Sequence, residues 1–348
     1  RSHELVQKTQ ENRTITLMST PAICVAMSVY NGERFLAEAI DSILAQSFTD
    51  FEFLILDDGS TDSSRTIIEQ FAARDSRIRP VFRENRGLIA SLNQLLAEAR
   101  APLIARMDAD DISHPDRFTR QISFLAGHPD HGVVGTWSQD MDEHGRNHPA
   151  PGHEHPTTHE GVVHALDNDH QVLCHPAVMY RRDVVRSVGG YHTAFRHCED
   201  LDLWLRLASV TRIANIPERL LYYRHYEDQV SSRHAVEQQI GAAIARAAYE
   251  ERKAGRPDPT ATLNRLPPIA ELDRLFGRTG IASKTRERVA RSLLYSPVAM
   301  RGEGFELLIE HLREGGSADG LWRTVARLLR FGTPTRALRL AAELAKAA

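Results

Sequence analysis

Residues 23–125 alternate short apolar runs with amphipathic segments four times, and this alternation constrains the fold more than any other feature. The apolar runs have strand length, and the segments between them repeat apolar residues at helical spacing. Such strand–helix units predict a parallel sheet with helices on both faces. The predicted strands are 23–29, 51–56, 78–82 and 102–107, and the predicted helices are 34–46, 62–73, 88–99 and 115–125.

The pattern changes at about residue 132. Strands are predicted at 133–137, 172–180 and 213–223, with loops and short helices between them, whereas residues 235–348 are mostly helical. The predicted fold class is α/β, a Rossmann-like and mostly parallel sheet with helices on both faces, plus a helical C-terminal region. We expect residues 1–17 to be a tail ahead of a natural start at Met18, and residues 18–234 to form one domain with halves at 18–131 and 132–234.

The bulk composition is that of a globular protein, with 42% hydrophobic and 26% charged residues. No apolar run approaches the roughly 18 residues that span a bilayer. No segment has the pattern of a secretory leader. Cys24, Cys174 and Cys198 are too far apart for a metal or redox motif, which is typical of proteins in a reducing compartment. We therefore expect a cytoplasmic protein.

The net charge of −3 is distributed unevenly along the chain. Residues 235–348 carry 19 Lys and Arg against 13 Asp and Glu, a net +6, which leaves −9 for residues 1–234. An acidic front half argues against nucleic-acid binding. Within the basic region, residues 321–329 place apolar residues on one helical face and arginines on another. That helix fits peripheral contact with an anionic membrane, or packing against the front domain or in a homodimer, and its narrow apolar face favours packing.

Carboxylates cluster where two of the predicted strands end. Asp57 and Asp58 follow the second strand, and Asp108, Asp110 and Asp111 follow the fourth. Parallel sheets bind ligands beyond these carboxyl ends. Three close carboxylates need a positive partner, and Mg²⁺ or Mn²⁺ shared with a diphosphate would supply it. A solvated acidic turn explains the cluster equally well when it is considered alone.

Five segments together resemble the family 2 glycosyltransferases, which are inverting enzymes of the GT-A fold. The segments are 27–33 (MSVYNGE), 56–62 (LDDGSTD), 108–111 (DADD), 198–204 (CEDLDLW) and 224–229 (RHYEDQ). The combination is specific and covers about residues 20–234, although each motif alone is weak. The resemblance implies a GT-A catalytic domain at 18–234, with a nucleotide-binding half at 18–131 and an acceptor-binding half at 132–234.

The resemblance assigns a nucleotide-sugar to the strand ends. Asp58 matches a residue that accepts a hydrogen bond from N3–H of uracil or thymine, which suits a UDP- or dTDP-sugar. In isolation, residues 57–60 read better as a turn that caps the next helix, and only their register with the second strand favours the site. The expected donor contacts are Ser28, Tyr30, Asn31, Glu33, Asp58, Arg86, Asp108 and Ala109.

The resemblance also implies a Mn²⁺ or Mg²⁺ cofactor at residues 108–111. Asp108 is expected to approach the ribose, while Asp110 and Asp111 are the metal candidates, with the direct ligand left open between them. His225 is a further metal or diphosphate candidate, and it reads equally well as a surface-loop histidine. The eight histidines from 144 to 175 favour a zinc site only weakly, because their spacing matches no standard ligand pattern.

Catalysis is expected from the acidic pair that opens the helix after residue 198. By resemblance, Asp200 is the general base that deprotonates the acceptor hydroxyl, and Glu199 is the second candidate. Carboxylates at a helix start are also favoured by the helix dipole, so a structural role is an alternative. His175 matches an acceptor-side strand and is expected to line the acceptor pocket.

The expected reaction is non-processive transfer of a sugar to a glycan or lipid-linked acceptor, in bacterial-type polysaccharide, glycan or glycolipid assembly. Polymer-making relatives carry a Gln-x-x-Arg-Trp motif followed by membrane helices, and residues 229–234 (QVSSRH) only approximate it. One alternative is a nucleotidyltransferase that makes the activated sugar, but residues 28–33 contain one Gly and no Lys. The other is a non-catalytic protein that binds nucleotide-sugars.

Overall fold

The computed structural model describes residues 20–149, 152–226 and 234–347. The expected tail at 1–17 and most of the segment 229–234 lie outside these ranges. Eight strands form one sheet in the order β3-β2-β1-β4-β7-β6-β8-β5. They are β1 (Ile23–Val29), β2 (Phe51–Asp57), β3 (Ile78–Phe82), β4 (Leu103–Met107), β5 (Ile112–Ser113), β6 (His131–Met141), β7 (Met179–Arg181) and β8 (Arg212–Arg224).

The first four strands form the predicted parallel half of the sheet, with β1 between β2 and β4. Side chains of β1 alternate between two cores, because successive residues of a strand point to opposite faces. Cys24 and Ala26 pack on the side of α3, whereas Val25 and Met27 pack on the side of α1, α2 and α4. These helices are α1 (Leu36–Leu44), α2 (Ser64–Arg74), α3 (Leu88–Glu98) and α4 (Arg117–Gly127).

The second half extends the sheet with both strand directions. β7 is antiparallel to β4 and β6, β8 is parallel to β6, and β5 is antiparallel to β8. The helices of this half are α5 (His159–Asp167), α6 (Arg182–Ser187) and α7 (Glu199–Leu207).

The prediction of a strand across 172–180 was wrong over most of its length. Only Met179–Arg181 pairs in the sheet, and His175–Ala177 forms one turn of 3-10 helix. Pro176 lacks an N–H and cannot donate to a sheet ladder, which accounts for the interruption. The histidine-rich segment is also not all loop, since α5 lies inside it and the Thr158 side chain caps it by accepting a hydrogen bond from the Gly161 amide.

The C-terminal region is helical, as predicted. Its helices are α8 (Ala235–Lys253), α9 (Leu272–Phe276), α10 (Ile281–Ser292), α11 (Pro297–Met300), α12 (Glu303–Arg313), α13 (Trp322–Arg330) and α14 (Pro334–Ala347), and Ile269–Glu271 forms a 3-10 turn. Apolar residues of α8 and α10 share a core with α7. Leu321 and Leu328, on the apolar face predicted for α13, are buried among the last helices, whereas Trp322 and Leu329 are exposed. Among the described residues, no helix is long and apolar enough to cross a membrane.

Candidate functional site

Three carboxylates meet in the turn that follows β4. The ligand oxygens of Asp108, Asp110 and Asp111 all lie within 4.8 Å of one another. Arg106, the penultimate residue of β4, is buried and forms an ion pair with Asp108. Two more buried guanidiniums lie near the turn, because Arg224 donates a hydrogen bond to the Asp110 carbonyl and Arg117 feels the charge of Asp111.

The end of β8 holds the two inner carboxylates in place. The Arg224 backbone N–H donates a hydrogen bond to Oδ1 of Asp111 at 2.9 Å, and its Nε donates to the Asp110 carbonyl at 2.7 Å. The Tyr226 hydroxyl donates to Oδ2 of Asp110 at 2.9 Å. Among the described residues, Oδ2 of Asp111 has no hydrogen-bond partner although it is buried.

The environment of this turn opposes ionisation of its acids. Burial, followed by the charge of Asp108, raises the pKa of Asp110 to about 6. Burial and the two neighbouring carboxylates raise the pKa of Asp111 well above its usual range. A divalent cation would reverse these effects, and the donor set of carboxylate oxygens suits Mg²⁺ or Mn²⁺. The orphaned oxygen of Asp111 is a suitable ligand atom, so the residues present fit the implied metal.

The His225 side chain is paired with a carboxylate outside the turn after β4. Its Nε2 lies 3.3 Å from Oδ1 of Asp140 on β6. The His225 ring also contacts the Tyr223 ring, at 5.1 Å between centroids, and burial together with the charges of Asp111 and Asp108 raises the pKa of Tyr223. His225 therefore lies near the acidic turn, although Asp140 is its ion-pair partner. A role for His225 as a metal ligand stays a prediction that requires its side chain to leave Asp140.

Asp58 is a buried anchor at the end of β2. Its Oδ1 accepts hydrogen bonds from Nε of Arg83 at 2.8 Å and from the Arg86 amide at 3.0 Å, and its Oδ2 accepts from the Gly87 amide at 2.7 Å. The carboxylate therefore fixes the loop after β3 against the end of β2. Arg86 takes part through its backbone, and its side chain is exposed.

The loop after β1 is fastened to the loop after β2. Asn31 has φ 50°, in the left-handed region, and its Oδ1 accepts a hydrogen bond from the Thr61 amide at 2.8 Å. Glu33 accepts one from the Ser63 amide at 2.8 Å. The expected donor contacts Asn31 and Glu33 thus hold loop geometry here.

The remaining expected donor contacts surround that loop. Ser28 is half-buried and Tyr30 is exposed. A Cβ on Gly32 would lie 3.7 Å from Cβ of Ala109, so the β1 loop packs closely against the acidic turn. The structure therefore brings Ser28, Tyr30 and the turn at 108–111 to the same edge of the sheet.

The acidic pair begins α7, as predicted. Burial, followed by the charge of Asp200, raises the pKa of Glu199 to about 7. Burial also raises the pKa of Asp200, which feels the opposing charges of Arg106 and Asp108. Asp200 lines a cavity of about 620 Å³, whereas Glu199 is not part of its wall. Asp200 thus contributes to the cavity wall and is near enough to the turn after β4 for the charges of Arg106 and Asp108 to act on it.

His175 lies in the 3-10 turn before β7 and contacts Trp204 of α7. Its Nε2 is 2.9 Å from the Tyr191 hydroxyl, and its ring contacts the Trp204 ring edge-on at 5.9 Å between centroids. Burial, with the nearby Arg106 charge, lowers the pKa of His175 well below its usual value, so the imidazole is neutral at physiological pH. It sits between the acidic turn and α7, but the cavity wall does not include it.

Sequence reasoning did not assign several partners of the expected site residues, among them Arg83, Asp140, Tyr191, Arg224 and Tyr226. Tyr226 lies within the quoted segment 224–229, and its position two residues after Arg224 was the available signal. Asp140 and Tyr191 are distant in sequence from the residues they contact, so no local pattern marks them.

Comparisons with known proteins agree with this geometry. The family description "Glycosyl transferase family 2" matches residues 24–189. A putative glycosyltransferase of Bacillus subtilis, EpsE, is 38% identical over 220 residues, covering 62% of this chain and 77% of that protein. An amylovoran biosynthesis glycosyltransferase of Erwinia amylovora, AmsE, is 31% identical over 220 residues, covering 60% and 78%.

Solved structures share the fold at low sequence identity. The S. aureus TarS 1–349 complex with UDP aligns with a TM-score of 0.55 at 16% identity, covering 93% of this chain and 88% of that chain. The mannosyltransferase PcManGT of Pyrobaculum calidifontis, in complex with GDP-Man and Mn²⁺, aligns with a TM-score of 0.53 at 17% identity, covering 95% and 88%. The chain therefore belongs to glycosyltransferase family 2, and it is a glycosyltransferase of the GT-A fold.

Proposed function

We propose that this protein is an inverting, metal-dependent and non-processive glycosyltransferase that moves a sugar from a UDP- or dTDP-sugar to an acceptor hydroxyl. The observation that carries the proposal is the cluster of Asp108, Asp110 and Asp111 after β4, together with Asp200 on the wall of the 620 Å³ cavity. Relatives named for amylovoran and O-antigen biosynthesis support a role in polysaccharide or glycan assembly. Structural neighbours solved with UDP, UDP-GlcNAc or GDP-Man support a nucleotide-sugar donor.

In this proposal Asp110 and Asp111 hold Mn²⁺ or Mg²⁺, and Asp108 approaches the ribose. When bound, the ion neutralises the diphosphate and makes it a better leaving group. The chain's own groups prepare the site: Arg106 balances Asp108, and Tyr226 orients Asp110. The unpartnered Oδ2 of Asp111 supports its assignment as a ligand.

The nucleotide would lie against the ends of β1 and β2. Oδ2 of Asp58 accepts one hydrogen bond from a described residue, the amide of Gly87, and we assign the N3–H of the base to this oxygen. Ser28 and Tyr30 would contact the nucleoside from β1, and the exposed side chain of Arg86 would approach a phosphate. Asn31 and Glu33 would act by holding the loop that forms this wall.

The acceptor hydroxyl would lose its proton to Asp200 and attack the anomeric carbon opposite the leaving diphosphate, which inverts the configuration. A raised pKa makes Asp200 a stronger base than an exposed aspartate. Glu199 is the second candidate, but its absence from the cavity wall favours Asp200. The neutral His175 would line the acceptor side through its contacts with Tyr191 and Trp204.

Nucleotide release from a donor panel tests the proposal. Purified protein with Mn²⁺ or Mg²⁺ is incubated with UDP-, dTDP- and GDP-sugars, and free nucleoside diphosphate is measured for wild type, Asp200→Asn and the surface control Asp183→Asn. We expect turnover of a UDP- or dTDP-sugar that Asp200→Asn abolishes and Asp183→Asn leaves unchanged. Release of pyrophosphate from a nucleoside triphosphate and sugar phosphate would support the nucleotidyltransferase alternative. Donor binding without turnover would support the non-catalytic one.

A further inference from the structure

The 620 Å³ cavity lies between the GT-A domain and the helical C-terminal region. One wall comes from residues 169–173 and α7, and the facing wall comes from α8 and α10. Its volume is within the range of about 300–1,000 Å³ that is typical of small-ligand sites. Helices α8 and α10 therefore complete a pocket whose opposite wall includes Asp200.

The cations around this cavity are already paired with acids. Arg246 and Arg288 lie 3.2 and 3.0 Å from the carboxylate of Asp169. Arg291 lies 3.0 Å from Glu287, and Lys284 lies 2.9 Å from Glu250. Arg246 and Arg288 share the single carboxylate of Asp169, and the fourth acid, Asp200, is on the cavity lining. With Asp200 ionised, four acids balance the four cations, so the pocket offers no excess positive charge to a phosphate or a sulfate.

Uncharged hydrogen-bonding groups remain available on the same walls. Gln238 and Gln239 of α8 are half-buried, and neither side-chain amide hydrogen-bonds to a described residue. Amide groups can donate to and accept from hydroxyls, whereas an apolar ligand would leave them unsatisfied.

We propose that this cavity is the acceptor site and that it takes an uncharged saccharide, with the C-terminal helices providing half of the binding surface. The inference rests on the proposed function, because it takes Asp200 as the base that meets the acceptor hydroxyl. Gln238 and Gln239 bind saccharide hydroxyls opposite α7. The C-terminal region is then part of substrate recognition.

A cavity-filling substitution tests the inference. Ala242 of α8 lines the cavity, and Ala242→Trp would occupy part of it. The matched control is Val210→Trp, an exposed position after α7 that is outside the wall. The double variant Gln238→Ala, Gln239→Ala removes the amide groups without adding bulk.

The probe is an array of defined glycans, both neutral and anionic, screened with fluorescently labelled full-length protein in the presence of UDP and Mn²⁺. We expect wild type and Val210→Trp to bind a subset of the neutral glycans. Ala242→Trp and the double glutamine variant should bind them about tenfold more weakly or worse. Melting temperature and UDP affinity, measured separately, show that each variant is folded.

Three outcomes would overturn the inference: no neutral glycan bound by wild type, equal binding by the folded Ala242→Trp and double glutamine variants, or binding confined to phosphorylated or carboxylated glycans. The array measures glycan binding by the cavity and does not depend on sugar transfer. If glycans bind as expected but no nucleotide-sugar is turned over, the proposed function fails while the saccharide site stands.

Discussion

Arg83 and Asp58 form a buried ion pair, in which Nη2 lies 2.7 Å from Oδ1 and the side chains are only 9% and 3% exposed. The pair joins the end of β2 to the segment that follows β3. Ser91 and Gln94 of α3 accept further hydrogen bonds from the guanidinium, at 2.8 and 2.6 Å. The residue assigned to the nucleotide base is thus also the anchor of the loop that carries Arg86.

Removing the cation of this pair should destabilise the fold. Arg83→Met leaves a buried carboxylate without its charge partner, and we expect a loss of about 3–5 kcal/mol in the free energy of unfolding. The control is Arg65→Met, whose Glu69 pair is 60% and 51% exposed and should contribute less than about 1 kcal/mol. Urea denaturation measures both. An equal loss in the free energy of unfolding for the two variants would contradict the anchoring role of Arg83.

Metal affinity should depend on the orphaned oxygen of Asp111. Asp111→Asn replaces one carboxylate oxygen by an amide nitrogen, and we expect Mn²⁺ affinity to fall by about tenfold or more. Asp183→Asn alters a carboxylate that is 84% exposed and should have no effect. Isothermal titration calorimetry with Mn²⁺ and UDP provides the measurement. Unchanged affinity in Asp111→Asn would remove this residue from the ligand set.

The neighbours His225 and Tyr226 should differ in their effect on the metal. Tyr226→Phe removes the hydroxyl that orients Asp110, and loss of such a supporting hydrogen bond typically weakens metal binding about tenfold. His225→Ala removes a side chain that faces Asp140, so Mn²⁺ affinity should change by less than about twofold. A large loss in His225→Ala would show that the imidazole turns to the metal on binding.

Glu199 should make stability depend on pH. Its folded pKa of about 7 lies above the ordinary value of 4.5, so the folded state holds a proton that the unfolded chain loses. The contribution of Glu199 to the free energy of unfolding therefore falls as the pH rises from about 4.5 to about 7. Glu199→Gln has no charge to bury, so its melting temperature should exceed that of wild type at pH 8 and nearly match it at pH 5.

The control for this comparison is Glu303→Gln, which changes an exposed carboxylate at the start of α12. Differential scanning fluorimetry at pH 5 and pH 8 gives the difference in melting temperature between each of the two variants and wild type. If Glu199→Gln raises the melting temperature by the same amount at the two pH values, burial does not raise the pKa of Glu199.

Local pattern was sufficient for the parallel half of the fold. The strands Ile23–Val29 and Ile78–Phe82 have the predicted bounds. The second contains Pro80, which is tolerated because β3 lies at the edge of the sheet. Local pattern was insufficient at 172–180, where it predicted one strand but Pro176 interrupts the mostly apolar run. Local pattern also could not predict the pairing of β6 with β8, because residues about 80 positions apart must meet and the register shifts around Trp137.

The same distinction holds for the site. The carboxylates at 108–111 and the helix start at Glu199 were predicted, because each is set by a short segment next to a strand or helix end. The direction of His225 depends on the register of β8, and the partner of Asp58 depends on how the loop after β3 folds back. Such contacts follow from tertiary packing, which the order of residues alone does not reveal.

Inverting transfer with Asp200 as the base can be tested by time-resolved ¹H NMR of donor hydrolysis. α-Linked UDP- and dTDP-sugars are incubated with the protein and Mn²⁺, with water as the acceptor, and the anomeric signals are followed before mutarotation. We expect the β-anomer to appear first and Asp200→Asn to abolish its formation. Initial release of the α-anomer, or hydrolysis by Asp200→Asn at the wild-type rate, would contradict the proposal.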